Sequence, residues 1–408
     1  MGRKSREKAA TKTRGAPAPK TAPAAAKPPG RRRAALAIVG IFALVFSIVA
    51  VTALTQKSNT MDEPVHVLAG YSYLRWADYR INPEHPPLAK LWAALPLLAL
   101  SKPTSVNNDP RYARYLSGTI TAANLGQFFP GVPIEKVFFY PKLQMVLLAV
   151  GLGIFVFAWA SELFGLEAAA AALFLYALDP NILANSQIVH TDIPFAAFCF
   201  ACIYFLWRAF RRLSWPNALF FCLFFGLAAA AKHSFVLIIP IGIALGLMKI
   251  FSPEPIPAAI GAARSLSGRG AKTRAVAAMF AGALLSAYVL LWACYGFRFS
   301  AMAGHSLSVA ALLPEQGWLR SSVSLLLDLG LFPEAWIDGQ LFNLKFLTRT
   351  AYLLGDTSDT GFWLFFPVAL AVKTPVPTLL LVAAAVYLIA RRRLDRPAGL
   401  FLLVPVAI

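Results

Sequence analysis

Charge is scarce in this chain. Asp, Glu, Lys and Arg make up 14% of its 408 residues and hydrophobic residues 58%, with a mean hydropathy of +0.62. Soluble domains carry about 25% charged residues, so the scarcity excludes an ordinary water-soluble protein and points to a bilayer. Cysteine is scarcer still: Cys199, Cys202, Cys222 and Cys294 all fall in apolar stretches. That excludes a disulfide framework, and the CxxC at 199–202 puts two thiols one helical turn apart in hydrocarbon, which is no zinc knuckle. No HExxH or paired-histidine helix spacing occurs, so a divalent metal is not expected. Nor is there a repeated hydropathy pattern, and charges at mid-depth of the apolar runs are nearly absent, Lys373 being the main exception. Both features would mark a secondary transporter or lipid-linked-sugar flippase, the alternative reading for a multi-pass chain.

What charge there is lies in clusters. The first 33 residues hold 11 Lys or Arg and one acid, Glu7, among Ala and Pro with no apolar periodicity. This stretch reads as a disordered basic tail that orients the chain and meets anionic lipid headgroups, with no nucleic-acid role. Residues 34–54 follow, 21 without a charge, enough at about 1.5 Å per residue to cross a core of roughly 30 Å and longer than a signal-peptide apolar run. Further spans are expected at 142–162, 167–185, 193–208, 216–231, 234–251, 275–297 and 362–390. A last run opens near 398 and stops after about 11 residues where about 20 are needed. With the tail in the cytoplasm, the basic stretches 208–215, 252–274 and 391–396 all fall on the same side, as the positive-inside rule demands. The loop 55–141, the turn 186–192, the Lys232-His233 corner and the loop 298–361 then face outward, and the acid and histidine clusters lie there.

In the first of these loops, MDEPVHVLAGYSYLRW opens with Asp62 and Glu63, then Pro64, which suits a helix first turn. Apolar residues at 67, 68, 71 and 74 predict a helix lying along the membrane surface. The two acids are either plain caps on its positive end or working carboxylates. Glu84-His85-Pro86-Pro87 brings a second acid and an imidazole at a rigid turn, with Lys90 about one helical turn on. His190 and Asp192 stand at the mouth of another span, where Asp192 either caps a helix or takes part in the site.

A carboxylate pair outside the first span, then HPPLAK, then an outward HTDIP, then YLLGDTSDTGFWLFFPVALAVKTPVP at 352–377 resembles the protein O-mannosyltransferase family and its bacterial relatives, including the aminoarabinose transferases of lipid A. The resemblance runs from Met61 to Pro377. It implies an all-α polytopic membrane protein with a GT-C type helix bundle (residues 34–408), interfacial helices in the first outward loop, and an active site on the periplasmic face of a bacterial inner membrane. The implied activity is transfer of a sugar from a polyprenyl-phosphate donor to a protein, lipid or glycan acceptor, without a cofactor. The chain departs from the family in its long basic tail and in an end that cuts a span short. By the resemblance Asp62 is the base, and Glu63 and Asp192 position acceptor or base. Glu84, His85 and Lys90 meet the donor phosphate and sugar. Lys232 is either a phosphate cation or a snorkelling lysine. His190, Tyr352, Gly355 and Asp356 position acceptor or donor, while Lys373-Thr374-Pro375 either kinks its span or steadies a lipid phosphate.

Overall fold

The uncharged run at 34–54 forms the centre of a 28-residue helix, α1 (Pro29–Gln56). The computed structural model describes residues 29–100, 115–116, 120–261, 264–302, 317–345, 350–391 and 396–408. The expected tail therefore lies outside the described residues up to 28, and the chain is already helical at Arg31–Arg33. Helix α2 (Glu63–Trp76) comes next, then α3 (Leu88–Ala94) running into a 3-10 turn at Leu95–Ala99. After α4 (Ala122–Gly126) follow α5 (Ile134–Phe164), α6 (Leu166–Leu178), α7 (Pro180–Asn185), α8 (Asp192–Arg211) and α9 (Trp215–Ala231). A 3-10 turn at His233–Leu237 leads into α10 (Ile238–Phe251). A two-residue ladder, β1 (Ile256–Pro257) with β2 (Ser265–Leu266), precedes α11 (Arg269–Cys294). Then come α12 (Trp318–Asp328), α13 (Glu334–Lys345), the hairpin β3 (Ala351–Leu353) and β4 (Asp356–Ser358), α14 (Phe365–Lys373), α15 (Val376–Ala390) and α16 (Arg396–Ala407). The all-α polytopic reading holds.

Among the described residues, five helices are long and apolar enough to cross a membrane: α1, α5, α8, the 233–251 segment and α11. A sixth is added if α14 and α15 count as one span. Three expected spans are altered, each by a local stop. The 167–185 run breaks at Asp179, whose extended backbone precedes Pro180 and whose Oδ1 accepts from the N–H groups of Asn181 (2.8 Å) and Ile182 (3.1 Å). An N-cap ends one helix there and starts another. The 216–231 run is the 17-residue α9, ended by the extended Lys232. The 362–390 run bends by 116° between α14 and α15. Thr374 is extended there, at ψ 133°, as a residue before proline must be, so the Lys-Thr-Pro segment acts as a kink. The exposed Lys373 offers its carbonyl to Asn181 Nδ2 at 2.8 Å, joining the two breaks.

Two apolar cores hold the bundle. In one, Phe42 and Phe46 of α1 meet Tyr176 of α6, whose hydroxyl donates to the Ala149 carbonyl of α5 at 2.7 Å. In the other, α9 packs against both α8 and α11 around Phe205, Phe221, Phe225 and Ala283. A third core lies in the segment between α1 and α5. Val67, Leu68, Ala69 and Tyr71 of α2 are fully buried against Leu97, Phe129, Val137 and Leu291. All of α2 from Glu63 to Tyr73 is buried, so other parts of the chain pack around it. Gly70 makes the α2–α3 crossing possible, because a Cβ there would fall 2.1 Å from the Lys90 carbonyl oxygen. Gly70→Ala is expected to cost about 1–3 kcal/mol by forced separation, read as a lowered thermal midpoint. Gly40→Ala, where nothing lies within 4 Å, should leave the midpoint in place, and equal behaviour of the two variants would refute the crossing.

Candidate active site

Asp62 and Glu63 are neighbours with opposite fates. Asp62 occupies the N-cap position of α2, yet its side chain makes no capping hydrogen bond and is exposed to solvent. Glu63 is fully buried. Its Oε2 accepts from the Thr60 N–H at 2.7 Å and its Oε1 from the Val189 N–H at 3.1 Å, while Lys142 Nζ of α5 lies 3.5 Å from Oε1. Glu63 thus fastens the start of α2 to the turn before α8 and to α5, and leaves Asp62 presented at the tip.

The turn at 186–191 carries His190. Its Nδ1 accepts from the Asp192 N–H at 3.0 Å, so the ring proton sits on Nε2, 3.2 Å from Asn185 Oδ1. This is the neutral imidazole, and burial pushes its pKa down despite nearby Asp192. Asp192, at the first position of α8, makes a direct ion pair with Lys232 at the end of α9. The pair joins the two residues across the ends of α8 and α9.

Glu84 and His85 approach from the other side. The His85 ring lies 6.2 Å from His233 between centroids, and His233 stands edge-on to Trp336 of α13 at 5.9 Å. Among the described residues, His66 Nδ1, His85 Nδ1 and both ring nitrogens of His233 are buried without a hydrogen-bond partner, the kind of donor and acceptor set that a polar ligand would satisfy. His66 and His85 are both held down to about 3, by burial first and then by the charge of Lys90, and Lys232 acts on them in the same direction. Lys90 is fully buried and its ammonium donates to Tyr73 Oη at 3.1 Å, to Asn82 Oδ1 at 3.1 Å and to the Asn82 carbonyl. It pins the 82–87 turn to α2. Burial lowers its pKa to about 7, against the opposing pull of Glu84.

The sequence reading did not single out Lys142 or α13. Gly339 of α13 lies so close to the 82–87 turn that a Cβ would meet the Pro83 carbonyl oxygen at 2.0 Å and His233 Nε2 at 3.3 Å. Asn343 Nδ2 donates to the Glu84 carbonyl at 2.7 Å. Asp338, half-buried on the same helix, has its carboxyl raised to about 6 by burial and then by Glu334. The only prior signal was a run of polar residues, Glu334, Asp338, Gln340 and Asn343, in an otherwise apolar region. Tyr352, Gly355 and Asp356 stand apart from this set on the β3–β4 hairpin. All three are solvent-facing except through register pairs such as Tyr352 with Thr357, and Leu354 and Gly355 supply the two positive φ angles (54° and 108°) of the tight turn. Gly355 is thus explained by backbone conformation. Among the described residues, no three His, Cys, Asp or Glu side chains converge as metal ligands do.

The buried imidazoles give a pH dependence. They are neutral in the folded chain above about pH 3, whereas an unfolded histidine takes its proton below about 6.5. Their stabilising contribution is therefore complete above pH 6.5 and is lost as pH falls toward 3. Asp338 works in the opposite sense up to about pH 6, but the three imidazoles of His66, His85 and His233, the last also held down to about 3 by burial, outweigh one carboxyl. The thermal midpoint is expected to fall from about pH 6.5 to about pH 5, above the ordinary carboxylate range, and a flat profile there would contradict the buried neutral rings. Lys90 adds a second rise, from pH 7 to about 10.5, because only the unfolded chain holds that proton over the interval.

Residues 135–255, from the first turn of α5 to just past α10, match the family model described as dolichyl-phosphate-mannose-protein mannosyltransferase. No curated protein and no solved structure matches the chain. The matched stretch is under a third of the chain, yet it contains Lys142, His190, Asp192, Lys232 and His233. It supports the resemblance noted from the motifs: over this stretch the chain is similar to a mannosyltransferase family, and its apolar helices are those of a multi-pass membrane protein.

Proposed function

We propose that the chain moves a sugar from a polyprenyl-phosphate donor to an acceptor hydroxyl by direct, inverting displacement, with Asp62 as the base. The observation that carries this reading is the exposed, uncapped carboxylate of Asp62, held in place by its buried neighbour Glu63. In the transfer, Asp62 takes the acceptor O–H proton as that oxygen bonds to the anomeric carbon. The bond from the anomeric carbon to the phosphate oxygen breaks, and its electron pair leaves with the lipid phosphate. Lys232 supplies positive charge to the departing phosphate, and Asp192 positions it. The neutral rings of His66, His85 and His233 contribute hydrogen bonds to sugar or phosphate rather than charge. No cofactor enters, because the phosphate ester already carries the activation, and a base plus a cation for the leaving group complete the chemistry.

The acceptor is a protein, lipid or glycan hydroxyl. In this reading the N-terminus is cytoplasmic and the site faces the periplasm of a bacterial inner membrane, with 166–185 and 215–231 counted as crossings in the lipid. Incubating the purified chain in lipid with a panel of polyprenyl-phosphate sugars, followed by mass analysis and determination of the anomeric configuration, tests the proposal. An inverted product is expected. A retained configuration would overturn direct displacement, and no product from any donor would overturn the transferase reading.

A further inference from the structure

A second basic site lies beside the first and takes no part in the proposed transfer. Between the end of α1 and the first turns of α5 is a cavity of about 310 Å³, lined by Lys57, Lys136, Lys142 and Glu135, with Leu54 and Phe139 in its apolar wall. Lys57 and Lys136 are exposed, and among the described residues neither pairs with a carboxylate. Lys142 is buried, and its one ion pair among the described residues is the 3.5 Å contact with Glu63. With Lys142 offset by Glu63 and one exposed lysine offset by Glu135, the site keeps a single net positive charge. That balance suits a monoanion, and the apolar wall suits one that carries a hydrocarbon tail. The depth agrees: Lys57 directly follows the last residue of the first membrane-spanning helix, where headgroups lie.

We propose that this cavity seats the phosphodiester headgroup of an anionic membrane lipid, and that the lipid steadies the turn bearing Asp62 through the Lys142–Glu63 contact. The lipid is a bound partner here, and no bond is made or broken. Binding of the headgroup does not depend on the transfer reading and is measured without any sugar donor.

The full chain in phosphatidylcholine nanodiscs is titrated with short-chain phosphatidylglycerol, short-chain phosphatidylcholine and inorganic phosphate, and bound ligand is counted by native mass spectrometry alongside the thermal midpoint. Phosphatidylglycerol is expected to bind about tenfold more tightly than phosphatidylcholine and to raise the midpoint. Lys57→Ala and Lys136→Ala are each expected to weaken it about fivefold, the usual worth of one lysine near an anionic surface. Both residues are exposed, so the variants should keep the parent midpoint in the absence of anionic lipid. Arg211→Ala, at the opposite end of the bundle, should bind as the parent does. Equal binding of the two lipids, or parent-like binding by the double lysine variant, would overturn the site. Inorganic phosphate competing as well as phosphatidylglycerol would overturn the lipid as its occupant.

Discussion

Asp62→Asn is expected to lower the transfer rate by about 10²- to 10⁴-fold, the range that a positioned general base contributes, while leaving donor binding and the thermal midpoint close to those of the parent. The separation of the two readouts follows from the geometry. The Asp62 side chain is exposed and makes no cap hydrogen bond, so an isosteric amide removes a proton acceptor without disturbing packing. Were Asp62 an ordinary cap, the substitution would shift the midpoint slightly and spare the rate, since asparagine caps as well as aspartate. Single-turnover measurement with a bound donor isolates the chemical step. A rate within about threefold of the parent would remove Asp62 from the role of base and turn attention to Asp338, whose carboxyl is held near 6.

Glu63→Ala is expected to do the reverse, costing stability first. It removes the acceptor of two backbone N–H groups, those of Thr60 and Val189, and strips Lys142 of its counter-charge in a buried position. Breaking a buried pair by deleting one partner costs about 3–5 kcal/mol, because the remaining charge is left uncompensated. The thermal midpoint should fall steeply and activity should fall with it as the 60–63 turn loosens. Glu63→Gln combined with Lys142→Met tests the cause, since it keeps one of the two acceptors and removes the orphaned charge, and part of the lost midpoint should return. If Glu63→Ala were as stable as the parent, the tie between the first loop and the turn at 186–191 would be absent. Asp62→Asn and Glu63→Ala together thus distinguish a residue that reacts from one that positions it.

The sequence showed the membrane character, the grouping of polar residues into clusters and the adjacency of Asp62 and Glu63, since these depend on composition and on local spacing. It did not show that the two acids divide their labour. Both stand before Pro64 and both suit a helix N-terminus; only the packing of α2 against α5 and the 186–191 turn buries one and exposes the other. Lys90 shows the same limit. Its place in HPPLAK suggested a cation for phosphate; that the close α2–α3 crossing at Gly70 buries it and sets its ammonium against Tyr73 and Asn82 is visible only in the structure. The apolar runs at 167–185 and 362–390 promised continuous spans, although Pro180 and Pro375 already carried the local reason for their breaks.

By itself, the sequence determined that this is a helical membrane protein with its chemistry gathered in a few polar clusters, because hydropathy and charge act through the nearest residues and need no long-range contact. Tertiary structure alone decided which cluster meets which: Glu63 with Val189 and Lys142, Asp192 with Lys232, and His85 and the 82–87 turn with His233 and α13. These pairings join residues from 40 to more than 250 positions apart, and burial keeps the rings of His85 and His233 neutral only once their neighbours have closed around them.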